Sequence, residues 1–146
     1  MPSTAGRNDP FLAFRFEVRV GPLAVAGFSD CTGLQLETEV QDYSEGGLNT
    51  NLLKFPTRTK QTNLVLKRGI VDRLMWEWYF ALTQGFVQRL SGEVVVHDPS
   101  GESDVIIWHF REAFPSKWQG PELSATQNNV AVETVEICHE GLFRIK

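Results

Sequence analysis

Apolar and polar residues alternate near the start of the chain, in "AFRFEVRV" at residues 13–20. Arg15, Glu17 and Arg19 occupy the polar positions, and apolar side chains occupy the positions between them. Side chains of a β-strand point alternately to its two faces, so this pattern predicts a strand with one buried and one exposed face. The next apolar run, residues 23–28, follows a Gly-Pro turn signal and predicts a second strand.

Two further alternating segments lie on either side of a long polar stretch. Residues 34–41 place Glu37 and Glu39 on one side of a strand, and residues 61–68 return to the period of two. The stretch between them, residues 42–60, contains two adjacent glycines and a proline and predicts a long loop. Loops of this length are uncommon in compact domains and are usually functional or disordered. Its leucines and phenylalanine argue against disorder, because disordered segments lack large apolar residues.

One helix is predicted at residues 72–84, with Asp72 as its N-cap and Gly85 as its C-terminal stop. One apolar stripe at helical spacing includes Met75 and Trp78. A second apolar stripe, on another side of the helix, consists of Trp76, Tyr79 and Phe80. Because a helix that is apolar on two sides must be covered on both, this stripe also needs a packing partner.

The strands after the helix complete a mainly β pattern. Residues 86–97 and 104–111 flank "DPSG", which is typical of a turn, and therefore predict a hairpin. "FREAFPSKWQGPEL" predicts an irregular crossing strand broken by two prolines. The last strand, residues 129–139, changes its apolar phase, which indicates a bulge near Glu133. We expect a mostly antiparallel β-sandwich or barrel that carries one helix.

Composition limits the class of protein. With 146 residues and a net charge of -4, the chain is predicted to be one domain at residues 11–146 after a flexible arm at residues 1–10. It lacks the basic face of a general nucleic-acid binder, a membrane-length apolar run and a secretory signal. Cys31 and Cys138 are isolated, and we expect reduced, partly buried thiols.

Few residues indicate chemistry. The three histidines lack metal-ligand spacing, and no nucleophile elbow, phosphate loop or dinucleotide fingerprint is present. The carboxylate pairs Glu37/Glu39 and Glu133/Glu136 are interpreted as solvated strand residues, although a glycosidase could use such a pair. We therefore expect no enzyme, metal or cofactor. The long loop and the second helix stripe instead predict docking surfaces of a self-associating protein.

Five segments, in order over residues 10–146, resemble a known family. They are "FRFEVRV" with "AGFSDCTGLQLETEVQDYSEGG", "LLKFPTRTKQTNLVLKRGIVD", "MWEWYF", "FREAFPSKWQGPELSA" and "AVETVEICHEGLFRI". The sequence resembles the tail tube proteins of contractile phage tails and phage-tail-like injection systems. It departs from the family pattern at Phe55-Pro56-Thr57, where relatives have Leu-Pro-Gly, and at Phe114-Pro115, where Trp-Pro is frequent.

This resemblance implies a fold of two packed antiparallel sheets, a small barrel-like sandwich with one flanking helix. It implies a structural subunit whose hexameric rings stack into a hollow tube, which sheath contraction drives through a target envelope. The implied partners are other copies of the chain, sheath, baseplate and terminator or cap proteins, and effector cargo or DNA in the lumen. It also implies assembly in the bacterial cytoplasm without direct membrane anchoring.

Three alternatives remain open at this point. They are a tube-initiator or baseplate-adaptor ring of the same fold, a monomeric β-barrel that binds a small ligand, and a hydrolase with an unrecognised site.

Residue roles in such an assembly are hypotheses. The loop is expected to reach a neighbouring subunit or ring through Tyr43, Glu45, Gly46, Gly47, Leu52, Leu53, Lys54, Phe55, Pro56 and Arg58. Its apolar residues would act as anchors and its basic residues as charged partners. The helix is expected to offer Trp76, Tyr79 and Phe80 to a subunit or the sheath. The predicted lumen face consists of Glu37 and Glu39, with Arg15, Glu17 and Arg19 as further candidates. An acidic lumen would repel an anionic cargo.

Overall fold

The computed structural model describes residues 15–21, 28–44, 46, 52–70, 73–98, 103–128 and 130–146. These residues form nine β-strands and one α-helix, α1 (Leu74–Thr83). The strands are β1 (Phe16–Val20), β2 (Phe28–Thr32), β3 (Leu36–Tyr43), β4 (Leu53–Gln61), β5 (Leu64–Gly69), β6 (Leu90–His97), β7 (Asp104–Gln119), β8 (Val132–Cys138) and β9 (Gly141–Arg144). The predicted arm, residues 1–10, lies outside the described residues.

Two antiparallel sheets share the long strand β7. The strand order is β1-β6-β7-β8-β5-β2, and β9 also pairs with β7. The first part of β7 pairs with β6 and β9, whereas its last part pairs with β8. This arrangement confirms the predicted class, a mainly β protein with two antiparallel sheets and one helix.

One cluster of buried apolar side chains joins the two sheets and α1. Val18 of β1 and Leu64 and Leu66 of β5 are buried on the side of each strand opposite its exposed charged residues. Phe110 of β7 is buried as well, and truncation of such a residue to Ala typically costs about 3–5 kcal/mol. The period of two in the sequence therefore marks the core correctly.

Strand β7 continues through Pro115, one of the two prolines that were predicted to break it, and ends at Gln119, before Pro121. Pro115 is buried within β7, and its Cα partner is Ile137 of β8. The pairing register shifts around Glu112, which has a φ of 52°, and again just after Pro115. Bulges of this kind bend a strand, which allows β7 to belong to both sheets.

The bulge predicted near Glu133 is wrong. Strand β8 pairs with β5 without a register shift from Val132 to Ile137. The apparent change of apolar phase arises because Val130 precedes the strand and is 79% exposed, so it does not belong to the core.

The prediction of a loop at residues 42–60 is also wrong for the second half of that range. Residues from Leu53 onward form β4, which pairs antiparallel with β3, so the segment is a hairpin. The two strands form their own two-stranded sheet, separate from the two that share β7. All nine residues of β4 are exposed, and Pro56 lies in this strand without breaking it.

The helix is shorter at both ends than the predicted range of 72–84. Arg73 occupies the N-cap position without a side-chain capping hydrogen bond, and Asp72 lies outside the described residues. Gly85 has a φ of +87°, the left-handed conformation that commonly ends a helix, as predicted.

Candidate assembly surfaces

The β3–β4 hairpin carries charged pairs near its root, where it joins the rest of the molecule. Glu37 is the Cα partner of Lys60, and the Glu39 carboxylate forms ion pairs with Arg58 (3.2 Å) and Lys60. These pairs are solvent-exposed, so each contributes at most about 1 kcal/mol. Two cations nevertheless compensate the negative charge of Glu39. This side of the hairpin is therefore less negative than the prediction of an acidic lumen face requires.

An aromatic and aliphatic patch lies at the far end of the same hairpin face. The rings of Tyr43 and Phe55 meet edge to face, with their centroids 6.2 Å apart. Leu53 is the Cα partner of Tyr43 and extends the patch. All three side chains are more than 40% exposed. We refer to Tyr43, Leu53 and Phe55 as the hairpin tip.

The other predicted loop residues divide between the two hairpin faces and its end. Lys54 and Pro56 lie on the opposite face from the hairpin tip, because their Cα partners are Asp42 and Val40. Gly46 and Leu52 are exposed beyond the paired strands. Glu45 and Gly47 lie outside the described residues.

The predicted helix stripe forms part of an aromatic patch that is open to solvent. Trp76 stacks on Phe80 with ring centroids 5.5 Å apart, and it meets Trp118 of β7 edge-on at 4.8 Å. Trp76 is 37% and Phe80 46% exposed, whereas Tyr79 is half-buried. By contrast, Met75 and Trp78 of the first stripe are buried in the core. We refer to Trp76, Phe80 and Trp118 as the aromatic patch.

A buried ion pair lies beneath this patch. Arg68 Nε donates to Glu133 Oε1 at 3.1 Å, and Trp118 Nε1 donates to the other carboxylate oxygen at 3.1 Å. The Arg68 guanidinium also lies 5.6 Å from the centre of the Phe28 ring. Both charged side chains are almost completely buried. The interpretation of Glu133 as a solvated glutamate is therefore wrong, and its removal would break both of these buried hydrogen bonds.

A polar network covers the outer face of β1. The Arg19 guanidinium donates two hydrogen bonds to Glu17 and lowers the pKa of that carboxyl below its ordinary value. His97 lies between Glu17 and Asp104, with Nδ1 2.9 Å from Asp104 Oδ1, although this contact is not an aligned hydrogen bond. Arg15 is exposed immediately before the strand.

The two predicted lumen groups thus occupy different sheets. Glu37 and Glu39 belong to the hairpin, whereas Glu17 and Arg19 belong to β1. The structure does not bring them together on one strand or one pair of strands.

Among the described residues, no group of three or more His, Cys, Asp or Glu side chains could hold a metal ion. No helix in this part of the chain is long and apolar enough to cross a membrane. Cys31 and Cys138 are half-buried free thiols, and burial raises the pKa of Cys31 to about 11.

The fold and its exposed surfaces define a structural protein built for assembly. A model of the family described as T4-like virus tail tube protein gp19 matches residues 12–143. The chain therefore belongs to this tail tube family. No curated protein matches the chain.

Solved structures of contractile injection systems have the same fold. A chain of the PVC sheath-tube complex of an extracellular contractile injection system superposes with a TM-score of 0.86 at 22% identity, covering 99% of this chain and 98% of that one. A chain of the anti-feeding prophage tube-terminating cap gives 0.86 at 24% identity, with coverage of 99% and 98%. A chain of the anti-feeding prophage baseplate gives 0.81 at 23%, with coverage of 94% and 96%.

Family and fold together establish the general role. The chain is a structural tube subunit of a phage tail or a phage-tail-like injection particle.

Proposed function

We propose that copies of this chain form hexameric rings that stack into a hollow tube, which a contracting sheath drives through a target envelope. Membership of the tail tube family supports this proposal most directly. The fold is also that of a chain in a sheath-tube complex of an extracellular contractile injection system. The proposed partners are other copies, a sheath protein, baseplate and cap proteins, and effector cargo or DNA in the lumen. Assembly would take place in the bacterial cytoplasm, without direct anchoring to a membrane and without enzymatic activity.

The hairpin is the proposed means of contact between copies. Within the described part of the chain its strands pair only with each other, and apolar residues remain exposed on both of its faces. Val40 is 57% and Phe55 51% exposed, and these two residues lie on opposite faces. Exposed apolar surface of this kind commonly marks a protein contact. Lys54 and Arg58 would pair with charges of the neighbouring copy.

The aromatic patch is a second proposed contact. Trp76 and Phe80 are exposed in the single chain, and Trp118 of the same patch donates a hydrogen bond to the buried Glu133 carboxylate. Exposed aromatic surface of this kind suits a neighbouring subunit or the sheath. The lumen face would include Glu37 and Glu39 or the β1 residues Arg15, Glu17 and Arg19, which carry charges of both signs.

A tube-initiator or baseplate-adaptor ring is the second candidate. The fold matches a chain of a baseplate almost as well as a chain of a sheath-tube complex, with TM-scores of 0.81 and 0.86. Electron microscopy of the purified protein in negative stain separates the candidates. We expect hollow tubes of stacked rings. Isolated rings that never stack would favour the initiator, and monomers at all concentrations would contradict both.

A further inference from the structure

A second exposed apolar feature lies at the root of the hairpin. It is a groove of about 290 Å³ between the start of β3, the middle of β7 and β9. Its lining residues are Leu34, Gln35, Leu36, Trp108, Leu142, Phe143 and Arg144. Leu36 and Phe143 are about half exposed, with 53% and 47% of their surfaces open to solvent. We refer to this feature as the root groove.

The root groove lacks the chemistry of a small-molecule site. Ligand pockets usually combine an apolar lining with several polar groups that converge on the ligand. Apart from the indole N–H of Trp108, only Gln35 and Arg144 contribute polar side chains here, and Arg144 Nε already donates to the Lys146 carbonyl at 2.8 Å. An apolar side chain of a protein fits this lining better than a polar metabolite.

The same chain carries a protruding feature of matching chemistry, the hairpin tip. Tyr43 and Phe55 present two aromatic rings, and about half of each residue, 53% and 51%, is exposed. Aromatic side chains bury about 150–250 Å² each when they insert into an apolar pocket, and they are enriched at the energetic centres of interfaces. The hairpin tip therefore presents exposed aromatic rings that the apolar root groove can bury.

The hairpin tip cannot reach the root groove of its own chain. Leu36 lines the groove, and Tyr43 lies seven residues further along the same strand. At about 3.3 Å per residue the two are roughly 23 Å apart. Paired residues hold the hairpin extended from the pair Leu36 and Gln61 to the pair Tyr43 and Leu53, so the tip points away from its own root.

We propose that the hairpin tip of one copy inserts into the root groove of a second copy. This inference rests on the proposed tube function and names the surface that receives the hairpin. The contact joins two different patches, tip to groove, and is therefore heterologous. Such a contact either closes into a ring or propagates along an axis, which are the two kinds of contact that a tube of stacked rings requires.

Crosslinking tests the contact directly. One copy carries Phe55→Cys, a second copy of different mass carries Phe143→Cys, and the mixture is treated with a short bifunctional thiol reagent under assembly conditions. We expect a product with the mass of one copy of each. The matched control replaces Phe143→Cys by Leu123→Cys, which is 82% exposed and belongs to neither feature, and should give no such product. Background from Cys31 is small because its thiol is half-buried and its pKa is raised to about 11.

A charge placed in the groove gives a second measurement. Phe143→Asp should raise the protein concentration needed for assembly about tenfold, because tenfold corresponds to about 1.4 kcal/mol and loss of an aromatic residue at the centre of an interface often costs that much or more. Its thermal unfolding as a monomer should change little, since half of the Phe143 side chain is exposed.

The outcomes separate this inference from the proposed function. Normal tubes from wild-type protein without the Phe55–Phe143 crosslink would overturn the inference and leave the tube proposal standing. Normal tubes from Phe143→Asp with a lowered unfolding temperature would assign the groove to another segment of the same chain, and would overturn the inference as well. Wild-type protein that forms neither rings nor tubes would overturn the proposed function together with the inference.

Discussion

At the residue scale, the least expected feature is the buried Arg68–Glu133 pair. Both residues occupy core-facing positions of their strands. Arg68 follows Leu66 on the inward face of β5, and Glu133 precedes Val135 on the inward face of β8. Both oxygens of the Glu133 carboxylate accept hydrogen bonds, from Arg68 and from Trp118. A pair satisfied in this way is costly to break although its net contribution to folding is small.

Glu133→Ala should lower the free energy of unfolding by about 3–5 kcal/mol, because it removes a buried carboxylate that accepts hydrogen bonds from Arg68 Nε and Trp118 Nε1. Urea denaturation of the monomer measures this loss. The matched control is Glu77→Ala, which removes the exposed helical pair with Arg73 and should cost at most about 0.5 kcal/mol. Equal losses in the two variants would contradict a buried pair.

Glu17 allows a prediction about pH. Its pKa is lowered in the folded state, chiefly by the hydrogen bonds from Arg19, so the pair stabilises the fold above the ordinary glutamate pKa. That stability is lost as the pH falls through the lowered pKa. Arg19→Ala should raise the pKa of Glu17 and cost about 0.2–1 kcal/mol at pH 7, with the difference disappearing in acid. NMR titration of the Glu17 carboxyl measures the shift, and an unchanged titration would contradict the pairing.

At the element scale, the sequence predicts the strands that have one buried face and misses β4, which has none. Strands β1 and β5 alternate because one of their faces covers the core. Strand β4 is exposed throughout, so no burial requirement imposes a period of two, and its proline adds a false loop signal. The position of Arg68 and Glu133 in the inward phase was visible in the sequence, but their pairing across β5 and β8 depends on strand order, which the sequence does not reveal.

The aromatic patch also belongs to this scale. The spacing of Trp76, Tyr79 and Phe80 predicts an outward helix stripe. The structure stacks Trp76 on Phe80 and places Trp76 against Trp118 from a distant part of the chain. Periodicity within one helix cannot predict that Trp118, which lies in β7, belongs to the aromatic patch. The assignment of the patch to a subunit or sheath contact stays a prediction.

Phe80→Ser should change the thermal stability of the monomer little, because nearly half of its surface is already exposed, and should raise the concentration needed for assembly. Light scattering during assembly measures this change. Phe86→Ser serves as the matched control, since Phe86 is 65% exposed and lies outside the patch, and should assemble as the wild type does. If Phe80→Ser behaves like that control, the patch is not an assembly contact.

At the scale of the whole molecule, the chain divides into a packed body and an exposed hairpin. The core joins the two sheets that share β7 and the helix, and none of its buried residues comes from β3 or β4. Folding of the body should therefore not depend on the hairpin. A structural element that adds little to the core and exposes apolar residues on both faces is best explained by a partner that covers it.

Removal of residues 40–56 tests this account most directly, since it deletes the hairpin tip and joins Glu39 to Thr57, next to the paired residues Thr38 and Thr59. Electron microscopy and sedimentation of this variant should be compared with those of the wild type. We expect a folded monomer with an unfolding temperature close to the wild-type value and no tubes, beside wild-type protein that forms hollow tubes. Tubes of normal width and length from the shortened variant would contradict the central claim that the hairpin assembles this protein.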